Sequence, residues 1–471
     1  MKILIVEDDL EFVKVITGIF NRIFSGVSIT VCGSKESAIS EIEDKLFDLM
    51  VIDLSIPVSD LVQNESPVHG HTVFTTARVA APGTPVIVLT GSSSEDFIES
   101  MLSMSGNNDI WGGGEPLPLV TLHKKHNLDS FPVVLKKYTN EILALREIEL
   151  LRGSVKLSDA EDRLIRIFTR RVGGVLCDIS EINGGLSGAH VFRLIVTDHH
   201  GNPVVDSISK IGSINDIKDE GSRYDRYVLR LPPAATPRKY PVLDHGAKDM
   251  AGVFYGLADG YTENAFSIRT VSTHATQVVA SIEALFENWS VDNQNRKTVS
   301  DVRRRLIDDA NYVKVVNKFS LDGLDELESS YIQVRWGCVH GDLHGCNVLI
   351  SNENSPILID YGDVGDGPSC LDPITLEFSL FFHHDSPLKG MTWPTEQQSL
   401  NWSNLDSYLI GCPYPDFIRA CREWTMRTAA GERDIAATAY AYFVRQLKYQ
   451  DVNSSLALSL IEGAKDFYNK T

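Results

Sequence analysis

The chain has 471 residues, and its 63 acidic against 44 basic residues give a formal net charge of −19. This length is too great for one ordinary hydrophobic core and predicts two or three domains. The charge argues against nucleic acid or an anionic membrane as the main partner, because both require a basic surface.

Three further features indicate the compartment. No apolar run is long enough to span a bilayer. The opening residues MKILIVEDD run from a short strand straight into acids and do not resemble a signal peptide. The seven cysteines are scattered and form no Cys-x-x-Cys pair, which is typical of a reduced protein. We therefore expect a cytoplasmic protein without a membrane partner.

The first part of the chain alternates apolar strands with helical segments, which predicts a doubly wound parallel sheet. Functional groups collect at the carboxyl ends of the strands in such sheets. The groups expected there are Glu7, Asp8, Asp53, Thr90 and one of Lys124 and Lys125, because the last strand end cannot be assigned to a single residue. Such a set can hold Mg²⁺, offer a carboxylate for phosphorylation, and bind phosphoryl oxygens with a hydroxyl and a cation.

This set resembles the receiver domain of two-component response regulators. The resemblance implies a flavodoxin-like fold with five parallel strands and a cognate histidine kinase as partner. It also implies a phospho-acceptor, two acidic ligands that hold Mg²⁺ together with the acceptor, a switch hydroxyl and a phosphate-contacting lysine. Carried over by position, these are Asp53, Glu7 and Asp8, Thr90, and Lys125. Lys124 is the alternative for the lysine, and Pro57 and the string PVIVLTG add to the match.

Three departures from that family concern the relay of the signal. The segment VSDLVQNESPVH after Pro57 and the stretch 106–118 with its Gly-Gly-Gly run are both longer than usual. The strand before Lys125 reads Val-Thr-Leu-His, without a Tyr or Phe at the usual switch position. Phosphorylation itself is therefore better supported than the standard mode of relaying it.

The next segment predicts a direct connection to a second domain. Residues 129–151 have helical periodicity, and Ser158-x-x-Glu161 is a capping box that opens a helix at residues 159–171. Because no low-complexity linker intervenes, we expect mechanically coupled domains with a boundary near residues 150–160.

A strand pattern follows from Val175 onward. A glycine-rich loop at residues 183–188 separates two strands and would let backbone amides approach a nucleotide phosphate, although an ordinary tight turn has the same pattern. Beyond it, a strand at residues 204–208 precedes Lys210, and the following helix carries Glu220. A surface lysine and a surface acid are the alternatives, and Asp216 and Asp219 compete for the role of the acid.

The stretch CVHGDLHGCNVLISNENSPILIDYGD at residues 338–363 predicts a hairpin that presents polar groups. Asn347 begins the apolar strand 347–350, and a second strand, 357–359, is followed by Asp360. Asp342 suits the orientation of an attacking hydroxyl, and Asn347 with Asp360 suits Mg²⁺ coordination. The alternative is a tight hairpin whose Asp and Asn only make turns.

The pattern His-Gly-Asp-x-x-x-x-Asn followed by Ile-Asp-Tyr resembles the aminoglycoside phosphotransferase and choline kinase-like branch of the protein-kinase fold. The resemblance implies a bilobal α+β domain with ATP and Mg²⁺ as cofactors. Asp342 would be the catalytic base, Asn347 and Asp360 the magnesium ligands, and His340 a residue that shapes the loop. Asp372 would brace the catalytic loop, or instead cap a helix.

The same resemblance assigns the nucleotide site of the amino lobe. The strand lysine would contact the α- and β-phosphates and pair with the helix glutamate. The nucleotide-binding candidates are Gly184, Gly185, Ser187, Gly188, Lys210 and Glu220. The pairs His199–His200 and His383–His384 have no ligand cluster nearby in the sequence and are interpreted as loop or turn residues.

Together the two resemblances predict a receiver domain at residues 1–135, a helical connector at 136–158, an amino lobe at 159–262 and a carboxy lobe at 263–471. The arrangement is also similar to the ternary-complex-associated kinase-like domains of bacterial conflict systems. The implied function is a response regulator in which phosphorylation of Asp53 controls a kinase that acts on the hydroxyl of a small molecule or protein.

Several alternatives stay open. The kinase-like domain could be a catalytically silent nucleotide-binding scaffold, or an antibiotic-modifying phosphotransferase. The sequence does not decide between ATP and GTP, between activation and inhibition by phosphorylation, or between a monomer and a homodimer.

Overall fold

The computed structural model describes residues 1–91, 106–182, 189–257, 261–290 and 293–471. The chain divides into two compact units. The amino-terminal unit comprises Met1–Lys218 and Arg238–Leu257, and the carboxy-terminal unit comprises Asp219–Pro237 and Ala258–Thr471. No helix in the described part of the chain is long and apolar enough to cross a membrane.

The amino-terminal unit begins with alternating strands and helices. The strands are β1 (Lys2–Val6), β2 (Ser28–Cys32), β3 (Leu49–Asp53), β4 (Val86–Thr90), β5 (Asn107–Asn108), β6 (Leu117–Pro118) and β7 (Val120–Lys124). The helices are α1 (Leu10–Ile23), α2 (Lys35–Asp44), α3 (Pro67–Ala80) and α4 (Phe131–Ala144). Among the described strands, five form a parallel sheet in the order β2-β1-β3-β4-β7. This confirms the predicted doubly wound fold.

The strands of this sheet alternate their side chains between two cores, as the pleat of a strand requires. Towards α1 and α4 lie Ile3, Ile5, Leu49, Val51, Ile87 and Leu89. Towards α2 and α3 lie Leu4, Val6, Met50, Ile52, Val86 and Val88. Burial on both faces explains why these strands read as continuous apolar runs.

The long segment after Pro57 folds back on the chain. Ile56 and Ser66 form an antiparallel bridge, and the side-chain oxygen of Asn64 accepts a hydrogen bond from the Val58 amide at 3.0 Å. Helix α3 then approaches so closely that a Cβ on Gly70 would lie 2.3 Å from the carbonyl oxygen of Leu54. The close approach requires glycine at this position, because the same Cβ would also lie 2.5 Å from the carbonyl oxygen of Asp53.

A second sheet follows in the same unit. Its strands are β8 (Glu149–Leu151), β9 (Leu176–Glu181), β10 (His190–Thr197), β11 (Pro203–Ser213), β12 (Arg238–Lys239) and β13 (Met250–Gly256), with the helix α5 (Asp159–Arg171). Helix α6 (Ile214–Tyr227) begins in this unit, and its residues from Asp219 onward belong to the carboxy-terminal unit. The order is β12-β13-β11-β10-β9-β8, antiparallel except for the pairing of β8 with β9. Helix α5 opens with the predicted capping box at Ser158 and Glu161.

The connector differs from the sequence prediction. The helix over residues 129–151 ends at Ala144 and passes through a 3₁₀ turn, Leu145–Glu147, before residues 149–151 form β8. The helical prediction is therefore wrong for those three residues, because pairing with β9 overrides their helical periodicity. Residues 149–151 of the connector thus form the edge strand of the second sheet.

The five-stranded parallel sheet, called the receiver sheet below, and the six-stranded second sheet share one hydrophobic core within this unit. The core joins Ile3, Val51 and Leu89 of the receiver sheet to Phe168 of α5 and Phe254 of β13. The rings of Phe168 and Phe254 stack with centroids 4.0 Å apart. This common core supports the expected mechanical coupling.

The extended segment 106–118 forms part of that junction. Trp111 is buried, and the Arg163 guanidinium of α5 lies 5.5 Å from the centre of its ring. Arg170 donates to the Trp111 carbonyl oxygen at 3.2 Å and pairs with Glu141 at 2.8 Å. The residues that exceed the usual receiver length therefore pack against α5.

Two glycines in this segment allow a test of the junction. Gly112 and Gly114 have φ of +71° and +81°, but a Cβ on Gly112 would lie 2.3 Å from the Ile167 carbonyl oxygen, whereas one on Gly114 meets nothing within 4 Å. We expect Gly112→Ala to lower the free energy of unfolding by about 1–3 kcal/mol more than Gly114→Ala, because the left-handed backbone costs both variants alike and only Gly112→Ala creates a clash.

Chemical denaturation of the full chain measures the difference. Equal destabilisation by the two substitutions would contradict close packing of residue 112 against α5.

The carboxy-terminal unit is mainly helical. Its strands are β14 (Tyr261–Asn264), β15 (Gln294–Thr298), β16 (Tyr331–Val339), β17 (Val348–Ser351), β18 (Pro356–Leu358) and β19 (Gly365–Pro368). Its helices are α7 (Ile268–Thr273), α8 (Ala275–Leu285), α9 (Val299–Arg304), α10 (Asp309–Phe319), α11 (Asp325–Ser329), α12 (Leu371–Phe382), α13 (Glu396–Leu400), α14 (Leu405–Tyr408), α15 (Pro415–Thr428), α16 (Glu432–Gln446) and α17 (Ser454–Lys470). Short 3₁₀ turns occupy Val228–Arg230, Pro233–Ala235, Phe286–Trp289 and Gly345–Asn347.

The predicted hairpin of the catalytic stretch is confirmed. Strands β17 and β18 pair antiparallel, with Val348 opposite Leu358. Asn347 is the last residue of a 3₁₀ turn rather than the first residue of the strand, so the predicted strand boundary is wrong by one residue. The six-stranded sheet and the mainly helical carboxy-terminal unit are the two parts expected of a bilobal α+β domain.

Candidate functional site

The first candidate site lies at the carboxyl edge of the receiver sheet, where β1, β3 and β7 end. The ammonium of Lys125 lies 2.8 Å from a carboxylate oxygen of Glu7 and 2.8 Å from one of Asp53. Glu7 and Asp53 are each 1% exposed. Lys125, and not Lys124, therefore joins the two acids, because side chains alternate along β7 and Lys124 points to solvent.

Burial controls the protonation of this cluster. It raises the pKa of Glu7 to about 7, against the partial offset of its hydrogen bond with Lys125. Burial also raises the pKa of Asp53, and the same lysine opposes the rise. For Lys125 burial acts downward, but its hydrogen bonds with Asp53 and Glu7 outweigh it and raise the pKa. The lysine is thus the counter-charge that keeps buried carboxylates available for chemistry.

The neighbours of the cluster have distinct structural roles. Asp9, the third acid of the opening sequence, is the N-cap of α1 and accepts from the Glu11 amide at 2.9 Å. The Phe12 ring lies 4.9 Å from the ammonium of Lys125. Thr90 is buried at the end of β4, and its carbonyl oxygen accepts from the Lys125 amide at 3.0 Å.

His123, in the strand that holds no Tyr or Phe, is buried. The Nε2 atom of His123 lies 2.9 Å from the carbonyl oxygen of Asn127, and its ring packs 5.0 Å from that of Phe131. His123 is therefore held inside the fold, in contact with the first residue of α4.

Glu7, Asp8 and Asp53 fit a hard divalent cation. One carboxylate oxygen from each lies within 4.8 Å of the others. Carboxylate oxygens are the ligands that Mg²⁺ prefers, and the ion keeps several waters besides. These three residues could therefore hold Mg²⁺ beside the Asp53 carboxylate.

The second candidate site is the loop between β16 and β17 in the carboxy-terminal unit. The Asp342 carboxylate pairs with the Arg445 guanidinium of α16 at 3.2 Å and lies 3.8 Å from Nε2 of His344. Burial alone would raise the pKa of Asp342, but Arg445, His344 and His340 outweigh it and lower the pKa. The carboxylate is ionised at neutral pH, the state needed to orient a hydroxyl.

A buried carboxylate holds this loop from behind. Asp372 accepts hydrogen bonds from the His340 amide at 2.7 Å and the Gly341 amide at 2.9 Å. The N-cap of α12 is Cys370, so the bracing role expected for Asp372 is confirmed over the capping alternative. Nε2 of His340 lies 3.1 Å from the Ile359 carbonyl oxygen, which ties the loop to the strand end before Asp360.

The expected magnesium ligands of the second site lie at neighbouring ends of the hairpin. Nδ2 of Asn347 donates to the Asp342 carbonyl oxygen at 2.8 Å, which leaves Oδ1 available as a ligand. The Ile359 amide donates to the Asn347 carbonyl oxygen at 3.0 Å. Asp360 follows with a φ of +61°, a left-handed conformation that is costly for a non-glycine residue and is enriched at functional positions. These oxygens fit Mg²⁺ by their chemistry.

The nucleotide-binding candidates are only partly described. Gly184, Gly185, Ser187 and Gly188 lie outside the described residues. Lys210 is buried on β11 of the amino-terminal unit, opposite Val253 of β13.

Of the three acids that compete for the helix role on α6, Glu220 is buried and the other two are exposed. Asp216 accepts from the Ser213 hydroxyl at 2.7 Å, and Asp219 pairs with Arg223 at 2.7 Å. Glu220 belongs to the carboxy-terminal unit and Lys210 to the amino-terminal unit, so their pairing stays a prediction.

Comparisons with known proteins assign a family to the first part of the chain. Residues 3–110 match the family model of the response regulator receiver domain. No curated protein matches the sequence. A receiver domain protein from Methanospirillum hungatei JF-1 is 19% identical, with 30% of this chain and 97% of that chain covered and a TM-score of 0.21. A response regulator from Thermotoga maritima in complex with Mg²⁺ and BeF is 20% identical, with 29% and 97% covered and a TM-score of 0.22.

The longer part of the chain is similar to a different solved structure. An aminoglycoside-3'-phosphotransferase of type VIII is 18% identical, with 62% of this chain and 98% of that chain covered and a TM-score of 0.37. Residues 3–110 of this chain are thus a response regulator receiver domain, and the part that follows has an α+β fold.

Proposed function

We propose that this chain is a response regulator with a phosphotransferase output. A partner histidine kinase phosphorylates Asp53, and the modified receiver controls an ATP- and Mg²⁺-dependent domain that phosphorylates a hydroxyl acceptor. The acceptor is a small molecule or a protein.

The phosphoryl transfer at the second site needs positioning more than covalent chemistry. The acceptor oxygen forms a bond to the γ-phosphorus while the bond from that phosphorus to the bridging oxygen of ADP breaks. Asp342 orients the hydroxyl and takes its proton. Its ion pair with Arg445 supports this role because it keeps the carboxylate ionised, and the brace from Asp372 supports it because it holds the loop in place. Mg²⁺, held by Asn347 and Asp360, would offset the phosphate charge.

The regulatory part of the proposal rests on the common core of the amino-terminal unit. Ile5 and Val51, on strands that end at the Asp53 site, belong to the same apolar cluster as Ile211 of β11. Ile211 directly follows Lys210, the expected phosphate-contacting lysine. Close-packed cores transmit strain rather than absorb it, so a change at Asp53 has a continuous path to β11.

Turnover of ATP by the purified full chain with Mg²⁺, measured with and without acetyl phosphate, tests the proposal. We expect acetyl phosphate to change turnover in the wild type and to leave it unchanged in Asp53→Asn. An effect of acetyl phosphate that persists in Asp53→Asn would refute control through the receiver. ATP binding without turnover, even with lysate supplied as a source of acceptors, would favour the silent scaffold instead.

A further inference from the structure

Three side chains with nitrogen or sulfur ligand atoms meet beside the catalytic loop. His344 and Cys346 belong to the loop itself, and His383 directly follows α12. One ligand atom from each lies within 4.8 Å of the other two. Sequence patterning assigned His383 to a turn without a ligand cluster, and the fold brings it to the other two residues.

The contacts within this group are close. Sγ of Cys346 lies 3.9 Å from Nδ1 of His383. The rings of His344 and His383 face each other with centroids 4.4 Å apart. A carboxylate oxygen of Asp385 lies 4.0 Å from the same sulfur. A tetrahedral site with metal–ligand bonds of about 2.0–2.3 Å has ligand atoms roughly 3.3–3.8 Å apart, so the group closes around an ion with small side-chain shifts.

The nitrogen ligand atoms are in a suitable state, whereas the Cys346 thiol, whose pKa burial raises to about 12, must lose its proton to the solvent when a metal binds. Nδ1 of His344 is buried and has no hydrogen-bond partner. Nδ1 of His383 accepts a hydrogen bond from the Asp385 amide at 3.2 Å. This nitrogen therefore carries no proton, and its lone pair can coordinate a metal instead. Burial lowers the pKa of both imidazoles, that of His383 to about 4, which keeps them neutral at physiological pH.

We propose that His344, Cys346 and His383 bind one zinc-like divalent ion, with the Asp385 carboxylate as the nearest group for the fourth position. Two imidazoles and a thiolate select Zn²⁺ over Mg²⁺, which takes oxygen ligands. The site is therefore chemically distinct from Asn347 and Asp360, although Cys346 directly precedes Asn347. The inference does not depend on the proposed phosphotransfer, because it concerns binding alone.

Cobalt is the probe for the test, since a thiolate bound to Co²⁺ gives a charge-transfer absorption that oxygen ligands do not give. The reduced full chain is stripped with a chelator and titrated with Co²⁺ in excess Mg²⁺, which fills the oxygen sites at Asp53 and Asp360. We expect one Co²⁺ per chain to produce the charge-transfer band, and Zn²⁺ to abolish it by displacement.

Substitutions assign the band to the three residues. In Cys346→Ser we expect the band to disappear, and in His383→Ala we expect the affinity for Zn²⁺ to fall by at least about 10-fold. Cys412→Ser is the matched control, because Cys412 is also a free, half-buried cysteine of the carboxy-terminal unit, outside the described cluster. It should keep the band and the affinity.

Three results would overturn the proposal: no charge-transfer band in the wild type, an unchanged band in Cys346→Ser, or equal Zn²⁺ affinity in His383→Ala and wild type. Thermal unfolding of the metal-free variants separates loss of ligand from loss of fold. If Cys346→Ser unfolds, the affinity of His383→Gln decides, because that side chain keeps the size and polarity of His383 without its ring.

Discussion

Replacing Asp342 with alanine is expected to lower the rate constant of phosphoryl transfer by about 10²- to 10⁴-fold, while the dissociation constant for ATP changes by less than about threefold. In the proposed mechanism this carboxylate is the base that takes the proton of the hydroxyl, and alanine cannot replace it. The nucleotide-binding residues expected from the sequence lie elsewhere along the chain, so ATP binding does not depend on this carboxylate. The same loss is expected of Asp342→Asn, because the amide keeps the shape and removes the charge.

Turnover of ATP with Mg²⁺ measures the first quantity, and calorimetric titration of ATP measures the second. Asp366→Asn is the control, since Asp366 is an exposed acid on β19 of the same unit. Full activity of Asp342→Ala would remove the assignment of the base. Loss of ATP binding in that variant would show that the substitution disturbs the fold.

The second large effect is expected at the receiver. Asp53→Asn should abolish uptake of a phosphoryl group from acetyl phosphate, because the amide nitrogen and oxygen are poor nucleophiles towards phosphorus. In the proposed reaction of the wild type, an oxygen of Asp53 would bond to phosphorus while the bond from phosphorus to the acetate oxygen breaks and acetate leaves. Lys125, 2.8 Å from both Asp53 and Glu7, would supply positive charge for the phosphoryl oxygens.

Intact-protein mass spectrometry after incubation with acetyl phosphate and Mg²⁺ detects the added group. Asp60→Asn should label like the wild type, because Asp60 is an exposed acid outside the cluster of Glu7, Asp8 and Asp53. Labelling that survives in Asp53→Asn would place the acceptor on another residue.

Much of the receiver could be predicted because its signals are local. Each buried strand is a short apolar run, and the chemistry follows the run directly, as with Glu7 after β1 and Thr90 at the end of β4. The choice between Lys124 and Lys125 could not be made, because it depends on the register of β7. One residue of register sends a side chain to the opposite face of a strand.

The second site shows the limit of local patterns more clearly. Asp342, Asn347 and Asp360 lie in one short stretch and were predicted together. Arg445, the ion-pair partner of Asp342, follows it by 103 residues in a helix without any motif. Only the packing of α16 against the catalytic loop brings them together, and no periodicity in the sequence reports that contact. The proximity of His383 to His344 and Cys346 could not be predicted for the same reason.

The helical prediction for the connector was wrong for a third reason. Whether a segment forms an edge strand depends on the neighbouring strand with which it pairs. Residues 149–151 read as helix in isolation, and β9 supplies the hydrogen bonds that make them a strand. Tertiary pairing outweighs local propensity at such positions.

The common core also bears on how the chain can change over evolutionary time. Receiver domains that are joined to an output by a loose tether can be exchanged between chains as separate cassettes. Here an exchange would separate Trp111, Leu135 and Ile142 from the α5 and β9 residues that belong to the same apolar cluster. A transplanted receiver would need matching substitutions in the amino lobe, so the two segments are constrained to diverge as one heritable piece.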